Sequence, residues 1–342
     1  MEQAQPSQAR LSKEPTWQKS VAKYQNPSLK RSLWQIANSL IPYLILWVLM
    51  VFSLNVSYWL TLLIAIPTAG FLIRIFIIFH DCGHGSFFKS KKANATLGIL
   101  TGLLTFTPYY HWRHNHSVHH ATVADLDRRG TGDILTLTVE EYRQLPGSKR
   151  FAYRISRNPL VIFTIGSVGV FLIGHRIFNR KDGKLERSSV LWTNLALLGL
   201  ITLISAIISL KAFLLIQLPV IFLASTAGVW LFYVQHQFEG VYWERHDRWN
   251  FMSAALQGSS YYKLPRLLQW FTGNIGFHHI HHVSPRIPNY YLEACHKDYH
   301  LFQEVHPLTL RGSLKSLSLR LWDEKERRLV GFNALAALPH PG

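Results

Sequence analysis

Charge is the scarcest ingredient of this chain. Only 16% of its 342 residues are Asp, Glu, Lys or Arg, against about 25% in an average soluble domain, so much of its surface is not built to face water. Acid is scarcer still: 19 Asp and Glu stand against 36 Lys and Arg, a formal charge of +17. An excess of that size calls for anionic partners such as lipid headgroups, an acidic protein or nucleic acid. Two cysteines, Cys82 and Cys295, exclude a disulfide framework and a four-thiolate zinc site, and they fit a reducing compartment. No G-x-G-x-x-G follows a strand and no flavin or haem module is present, so any electrons the chain uses come from elsewhere. No cleaved secretory signal is expected, because the first 35 residues carry six basic and two acidic side chains and no long apolar run. Histidine, in contrast, is abundant, with 18 copies.

The charges are unevenly placed. From Ile36 to Phe79 only Arg74 is charged, and from Leu191 to Gln235 only Lys211. Each stretch is about twice the ~20 residues that one spanning helix needs. The expected fold is therefore all-α and membrane-integral, with four transmembrane helices as two hairpins. A polar basic arm (1–35) precedes hairpin 1 (36–80), which turns near 55–57. A cap with interfacial helices (81–190) precedes hairpin 2 (191–236), which divides at Lys211, and a second cap segment (237–342) follows; the whole is one domain. Residues 81–190 hold 16 basic and 8 acidic side chains and residues 237–342 hold 12 and 9. The positive-inside rule puts those segments, both termini and any site they build on the cytoplasmic side of the cell membrane. Arg74 is expected to snorkel to the interface. The segments 95–107 and 159–174 are expected to lie in the interface or re-enter rather than cross.

His80 and His84, in HDCGH, are spaced i and i+4, so a helix projects both rings from one face. His116, His119 and His120, in HSVHH, and His278, His281 and His282, in HHIHH, stand at i, i+3 and i+4, again expected on one face. His236, in YVQHQFE, ends the fourth span at the depth of His80. Nine imidazoles thus converge, more than one ion can take, so two ions fit better; imidazole suits iron, zinc and copper. His114 and His279 point elsewhere on their helices. His111, His175, His246, His296, His300, His306 and His340 lack the spacing, and solvent-facing or supporting roles are expected for all of these. Metal-bound imidazoles commonly donate their second N–H to a carboxylate, and Asp81, Asp125, Asp127, Asp133 and Glu239 are near enough in sequence to serve. Lys89, Arg113, Arg128 and Arg129 could meet lipid phosphates or an acidic electron donor.

With those boxes in order, the segments RIFIIFHDCGHGSFF, HHATVADLDRRGTGDI, WLFYVQHQFE and GNIGFHHIHHVSPRIPNY resemble the membrane fatty acid desaturases over nearly the whole chain. Within that family they are most similar to the bacterial acyl-lipid delta-5 desaturases of bacilli, while delta-12 desaturases share the style of the boxes. The resemblance implies two iron ions held by the nine histidines, dioxygen as co-substrate, and membrane phospholipid acyl chains as substrate. It implies an external electron donor, ferredoxin or flavodoxin, and a cis double bond as product. Acyl-CoA desaturases carry an asparagine one turn before the lone histidine. Phe232 stands there in this chain, which sets it apart from that pattern.

The chemistry agrees with the resemblance. An unactivated methylene has no acidic proton and no electrophilic carbon, so acid–base or nucleophilic catalysis cannot cleave its C–H bond, whereas a metal centre that activates dioxygen can. Two alternatives share parts of the pattern. A membrane di-iron hydroxylase would use the same centre and leave a hydroxyl. A histidine-rich metal transporter should place its ligands near the bilayer midplane, whereas His80 and His236 end their spans. Nucleic-acid binding is not expected, because the basic residues are distributed over loops beside the spans.

Overall fold

The computed structural model describes residues 17–336, so His340 lies outside the described residues. α1 (Leu29–Ser53) and α2 (Tyr58–His84) form the first hairpin. α3 (Lys91–Leu104) and α4 (Tyr109–Thr122) are shorter helices beyond it. α5 (Lys184–Ile208) and α6 (Leu210–His236) form the second hairpin, followed by α7 (His278–Val283) and α8 (Asn289–Asp298). At 1.5 Å per residue the hairpin helices reach about 38–40 Å, enough to cross a bilayer, and these four are the described single helices long and apolar enough to do so. The protein is an all-α integral membrane protein. Its only strands among the described residues are two short pairs, Tyr261–Tyr262 with Pro307–Leu308 and Leu321–Asp323 with Arg328–Val330.

Local chemistry sets the helix ends. α1 begins seven residues before Ile36, because the Ser28 side chain accepts from the Arg31 N–H at 3.4 Å and caps a polar first turn. α2 ends at Gly85, whose φ of 68° is left-handed; the N–H groups of Gly85 and Ser86 reach the carbonyls of Cys82 and Asp81, each at 3.0 Å. A glycine is needed there to close the helix immediately after the HDCGH box. The second hairpin breaks at Ser209, two residues before Lys211, and the Ser209 hydroxyl caps α6 by accepting from Ala212 N–H at 3.3 Å.

α2 and α6 form the centre of the membrane layer. Ala69, Leu72 and Ile75 of α2 pack against Ile216, Val220 and Ala224 of α6, while α5 leaves Leu195, Leu198, Leu203 and Ile207 exposed on the outer face. Inside this layer Trp47 donates to Gln217 at 2.9 Å, joining α1 to α6. Arg74 does not snorkel. It is buried, stacks 4.0 Å from the Trp270 ring, donates to the Trp270 carbonyl and approaches Asn38 Oδ1 at 3.4 Å. Protein partners satisfy the guanidinium, so it has no need to reach the interface.

α3 lies close against the start of α4. A side chain at Gly98 would come within 2.2 Å of the Tyr109 ring, and the Tyr109 hydroxyl donates to the Cys82 carbonyl at 2.7 Å. This contact joins the first two histidine boxes. The segments Gly147–Ser156 and Val161–Arg176 meet at a 66° bend. His111 Nε2 lies 3.3 Å from Asp182 Oδ2, which brings the chain before and after this bent pair together.

Single cysteines replacing the exposed residues Arg128, Lys181 and His300 should all react with an impermeant maleimide from one side of the membrane, and those replacing Asn55 and Lys211 from the other. Labelling of Lys181→Cys together with Asn55→Cys would make the bent pair a fifth span and refute this topology.

Candidate metal centre

The ends of α2 and α6 supply His80, His84 and His236, α4 supplies the second box and α7 the third. The structure gathers all nine histidines singled out by spacing, in two groups. One contains His80, His84, His116, His120 and His281, the other His119, His236, His278 and His282, and within each group the candidate ligand nitrogens lie within 4.8 Å of one another. The boxes do not each present one face to one ion. At 100° per residue, positions i and i+4 are 40° apart, while i+3 is rotated about 60° from i. His116 and His120 accordingly enter the first group and His119 the second. In α7 the division is reversed, with His278 and His282 in the second group and His281 in the first.

The rings converge through their Nε2 atoms. His120 Nε2 lies 3.2 Å from His116 Nε2 and 3.0 Å from His281 Nε2; His278 Nε2 lies 3.0 Å from His236 Nε2 and 3.1 Å from His282 Nε2. Two nitrogens bound at about 2.1 Å to a common ion, at right angles, are about 3.0 Å apart. His84 Nε2 and His119 Nε2 are buried without a hydrogen-bond partner among the described residues, as lone pairs awaiting a cation would be. Burial, reinforced by neighbouring imidazoles, holds His116, His120, His278, His281 and His282 well below the ordinary histidine range. At neutral pH these rings are uncharged and fit to ligate. The donor set therefore fits two imidazole-binding transition-metal ions.

Acceptors on Nδ1 orient three of the rings. His236 Nδ1–H donates to the Gly258 carbonyl at 3.1 Å, His80 Nδ1 faces Asp81 Oδ1 at 3.2 Å, and His119 Nδ1 is hydrogen-bonded to Asp133. Each contact leaves Nε2 free to point inward. Asp81 also accepts from the backbone and side-chain N–H groups of Asn289, at 2.7 and 2.8 Å, and so ties α2 to the start of α8. Gln235 donates to the Ile275 carbonyl at 2.9 Å, fixing the approach to α7.

The other three carboxylates proposed from sequence are occupied elsewhere. Asp125 pairs with His246 Nδ1 at 2.7 Å, Asp127 accepts from Arg245 at 2.7 Å, and Glu239 meets Lys315 at 2.7 Å. They are close to the boxes in sequence, but they stitch cap loops together. Arg129 is likewise engaged by Glu141 and the Leu126 carbonyl. His279 is buried against Tyr261 and His296 rather than exposed, and it joins neither group.

Sequence reasoning missed Trp112, whose ring stacks on His116 with centroids 4.3 Å apart and planes 21° from parallel. Its signal was the i, i+4 spacing to His116. It also missed a cavity of 440 Å³ that opens onto both groups, with His80, His116 and His278 in its wall. From there the cavity descends between α2 and α6, past Phe76 and Phe232 to Leu72 and Ile221. Phe232 packs 5.3 Å from the rings of both His119 and His236, so this side of the second group is apolar.

Asp133→Ala and Asp81→Ala should weaken metal binding about 10–100-fold, whereas Glu239→Ala should leave it unchanged in a metal titration; an equal loss in all three would exclude the orienting role. The depressed imidazoles also set a pH dependence. Their contribution is complete above the unfolded histidine pKa of about 6.5 and is lost as pH falls below it toward the depressed folded values, because the unfolded, metal-free chain then binds the extra protons. Metal retention should therefore decline below about pH 6.5, measured by metal content after dialysis.

The model of the family described as fatty acid desaturase matches residues 57–311, a range that includes all nine converging histidines. A fatty acid desaturase of Bacillus subtilis (strain 168) is 50% identical over 322 residues, covering 94% of this chain and 91% of that protein. An sn-1 oleoyl-lipid 12-desaturase of Anabaena variabilis is 27% identical, covering 71% of this chain and 70% of its own length. An sn-1 acyl-lipid omega-3 desaturase (ferredoxin) of Synechocystis is 28% identical, covering 65% and 62%. Four apolar helices, two clustered histidine groups at their ends and these matches lead to one conclusion: the chain is an oxidoreductase that belongs to the fatty acid desaturase family.

Proposed function

We propose that this enzyme inserts a cis double bond into acyl chains of membrane lipids, with its site on the cytoplasmic face of the cell membrane and electrons supplied by a separate ferredoxin or flavodoxin. The observation that carries the reading is the apolar cavity ending at both histidine groups. His80, His84, His116, His120 and His281 would hold one iron and His119, His236, His278 and His282 the other. When bound, the pair supplies dioxygen activation, the chemistry that an unactivated C–H bond requires. The chain's own residues do the rest. Phe76, Trp112 and Phe232 wall the cavity beside the histidines and exclude water, while Asp81, Asp133 and the Gly258 carbonyl hold Nδ1 protons away from the ligand nitrogens.

The depth of the cavity supports the delta-5 position over delta-12. Along α6 its wall runs from Gln235 to Ile221, about 21 Å at 1.5 Å per residue. An extended chain advances about 1.25 Å per C–C bond of about 1.5 Å. The ten to twelve bonds beyond carbon 6 of a C16 or C18 chain need about 12–15 Å on this scale, whereas a delta-12 bond would leave only a few bonds to fill the same branch. A transporter reading finds no support in histidines gathered at helix ends rather than at midplane.

Purified protein should carry close to two irons per chain; one tightly held zinc with activity intact would end the di-iron reading. His236→Ala should lose both iron and desaturation, as should His281→Ala, while His114→Ala, at an exposed position, should keep both. New double bonds located by mass spectrometry in a host that makes no such lipid decide the product. Hydroxylated chains in their place would favour the hydroxylase.

A further inference from the structure

The wall of the cavity is mostly apolar; apart from the histidine groups, Asp133, Gln235, Thr105 and Ser225, it holds one cluster of polar side chains that the histidine groups do not use. His111 and Asn115 project from α4 and His175 from the turn before α5. The Nδ1 atoms of His111 and His175 are buried without a hydrogen-bond partner among the described residues. Asn115 Nδ2 meets His111 Nε2 at 3.5 Å, which leaves the second N–H of its amide to bind. Buried polar atoms without partners, in residues of a cavity wall, are costly unless a ligand or water meets them.

The group is also held in place. His111 Nε2 lies 3.3 Å from Asp182 Oδ2, Tyr110 N–H donates to Ser189 of α5 at 3.0 Å, and Arg176 and Asn194 exchange hydrogen bonds at 2.9 and 3.0 Å, fixing the turn that carries His175. Val170 of the wall is 46% exposed, the nearby Ile173 and Ile177 are each 63% exposed, and the exposed Arg180 and Lys181 follow. An apolar stretch passing into basic residues is the order of a membrane interface, where a glycerolipid presents ester and then phosphate.

We propose that His111, Asn115 and His175 bind the glycerol-ester end of the lipid whose acyl chain fills the cavity, and so fix which carbons lie beside the histidine groups. This rests on the acyl-lipid reading above. The second Asn115 amide N–H donates to the ester carbonyl, and the unpartnered Nδ1 atoms of His111 and His175 bond to a hydroxyl or water held with the glycerol. The spacing suits the register. His111 precedes His116 by five residues, about 7.5 Å along the helix, or about six extended C–C bonds. The three side chains are positioning residues, and the double bond is counted from the carboxyl end.

The test uses iron-loaded protein in phosphatidylglycerol vesicles whose palmitoyl chains carry a diazirine at carbon 3 or at carbon 15. On illumination, the carbon-3 probe should attach to residues 111–115 and 173–177, and the carbon-15 probe to 69–73 and 217–221. A reversed pattern, or carbon-3 attachment elsewhere, overturns the proposal. Asn115→Leu with His175→Leu should lower carbon-3 attachment about tenfold with iron content unchanged and carbon-15 attachment retained, and should spread the double bond over neighbouring positions. Asn115→Gln should recover part of the loss. Desaturation of C16 and C18 chains should fall at one distance from the ester, and a position that instead follows the methyl end overturns it. The expected attachments without any double bond would count against the desaturation reading while supporting the ester site. The same chain given as a CoA thioester should attach poorly, and preferential attachment of the thioester overturns the choice of a glycerolipid.

Discussion

Imidazole nitrogens that face one another at 3.0–3.2 Å are the constraint on which the rest of the molecule depends. Two lone pairs at that distance repel unless a proton or a metal ion lies between them, and burial makes protonation costly. The arrangement is stable when cations hold it, and it forces four separated pieces of chain into one place. Each three-histidine box reaches both groups, because i and i+4 serve one and i+3 the other. Neither group can assemble without α4 and α7 both being in register, so metal binding and correct packing of the cap are one event.

The surrounding contacts follow from that requirement. A ring must be aimed as well as placed, and where a carboxylate or carbonyl takes the Nδ1 proton, as at His80, His119 and His236, the aim is fixed. Asp81 aims His80 and also accepts from Asn289, so the support of a candidate ligand and the docking of α8 share one carboxylate. Phe232 instead presents an apolar wall beside His119 and His236.

Much of this was legible in the sequence, because the features repeat with the periods of their elements. Long uncharged stretches gave the hairpins, and i, i+4 spacing gave the histidines. What escaped depends on contacts between distant residues. The Arg74 guanidinium is satisfied by Trp270, 196 positions away, and nothing near Arg74 in sequence announces it. Asp125, Asp127 and Glu239 illustrate the converse, lying near the boxes along the chain yet turned toward His246, Arg245 and Lys315. The division of the boxes between two groups was within reach, since a 60° rotation between i and i+3 is helix geometry; treating three histidines as one face obscured it. The polar first turn of α1 and the break at Ser209 show the same limit from another direction, because capping hydroxyls and backbone torsions, not hydropathy, end these helices.

The membrane spans also explain where the substrate chain must lie. α2 and α6 pack together along the bilayer, and on their final turns α2 carries His80 and His84 of the first group and α6 carries His236 of the second. On the proposed function, the space between them would be both the place where an acyl chain meets least cost and the approach that ends at both groups. Helices that begin in hydrocarbon and end in histidine align the chain with the centre by their own direction, and rigid elements hold such an alignment better than loops. Selection among chemically equivalent methylenes then becomes a matter of length along a helix. On that reading, differences of one C–C bond, about 1.25 Å by the geometry of an extended chain, would be resolved because walls of the cavity and candidate ligands belong to the same helices.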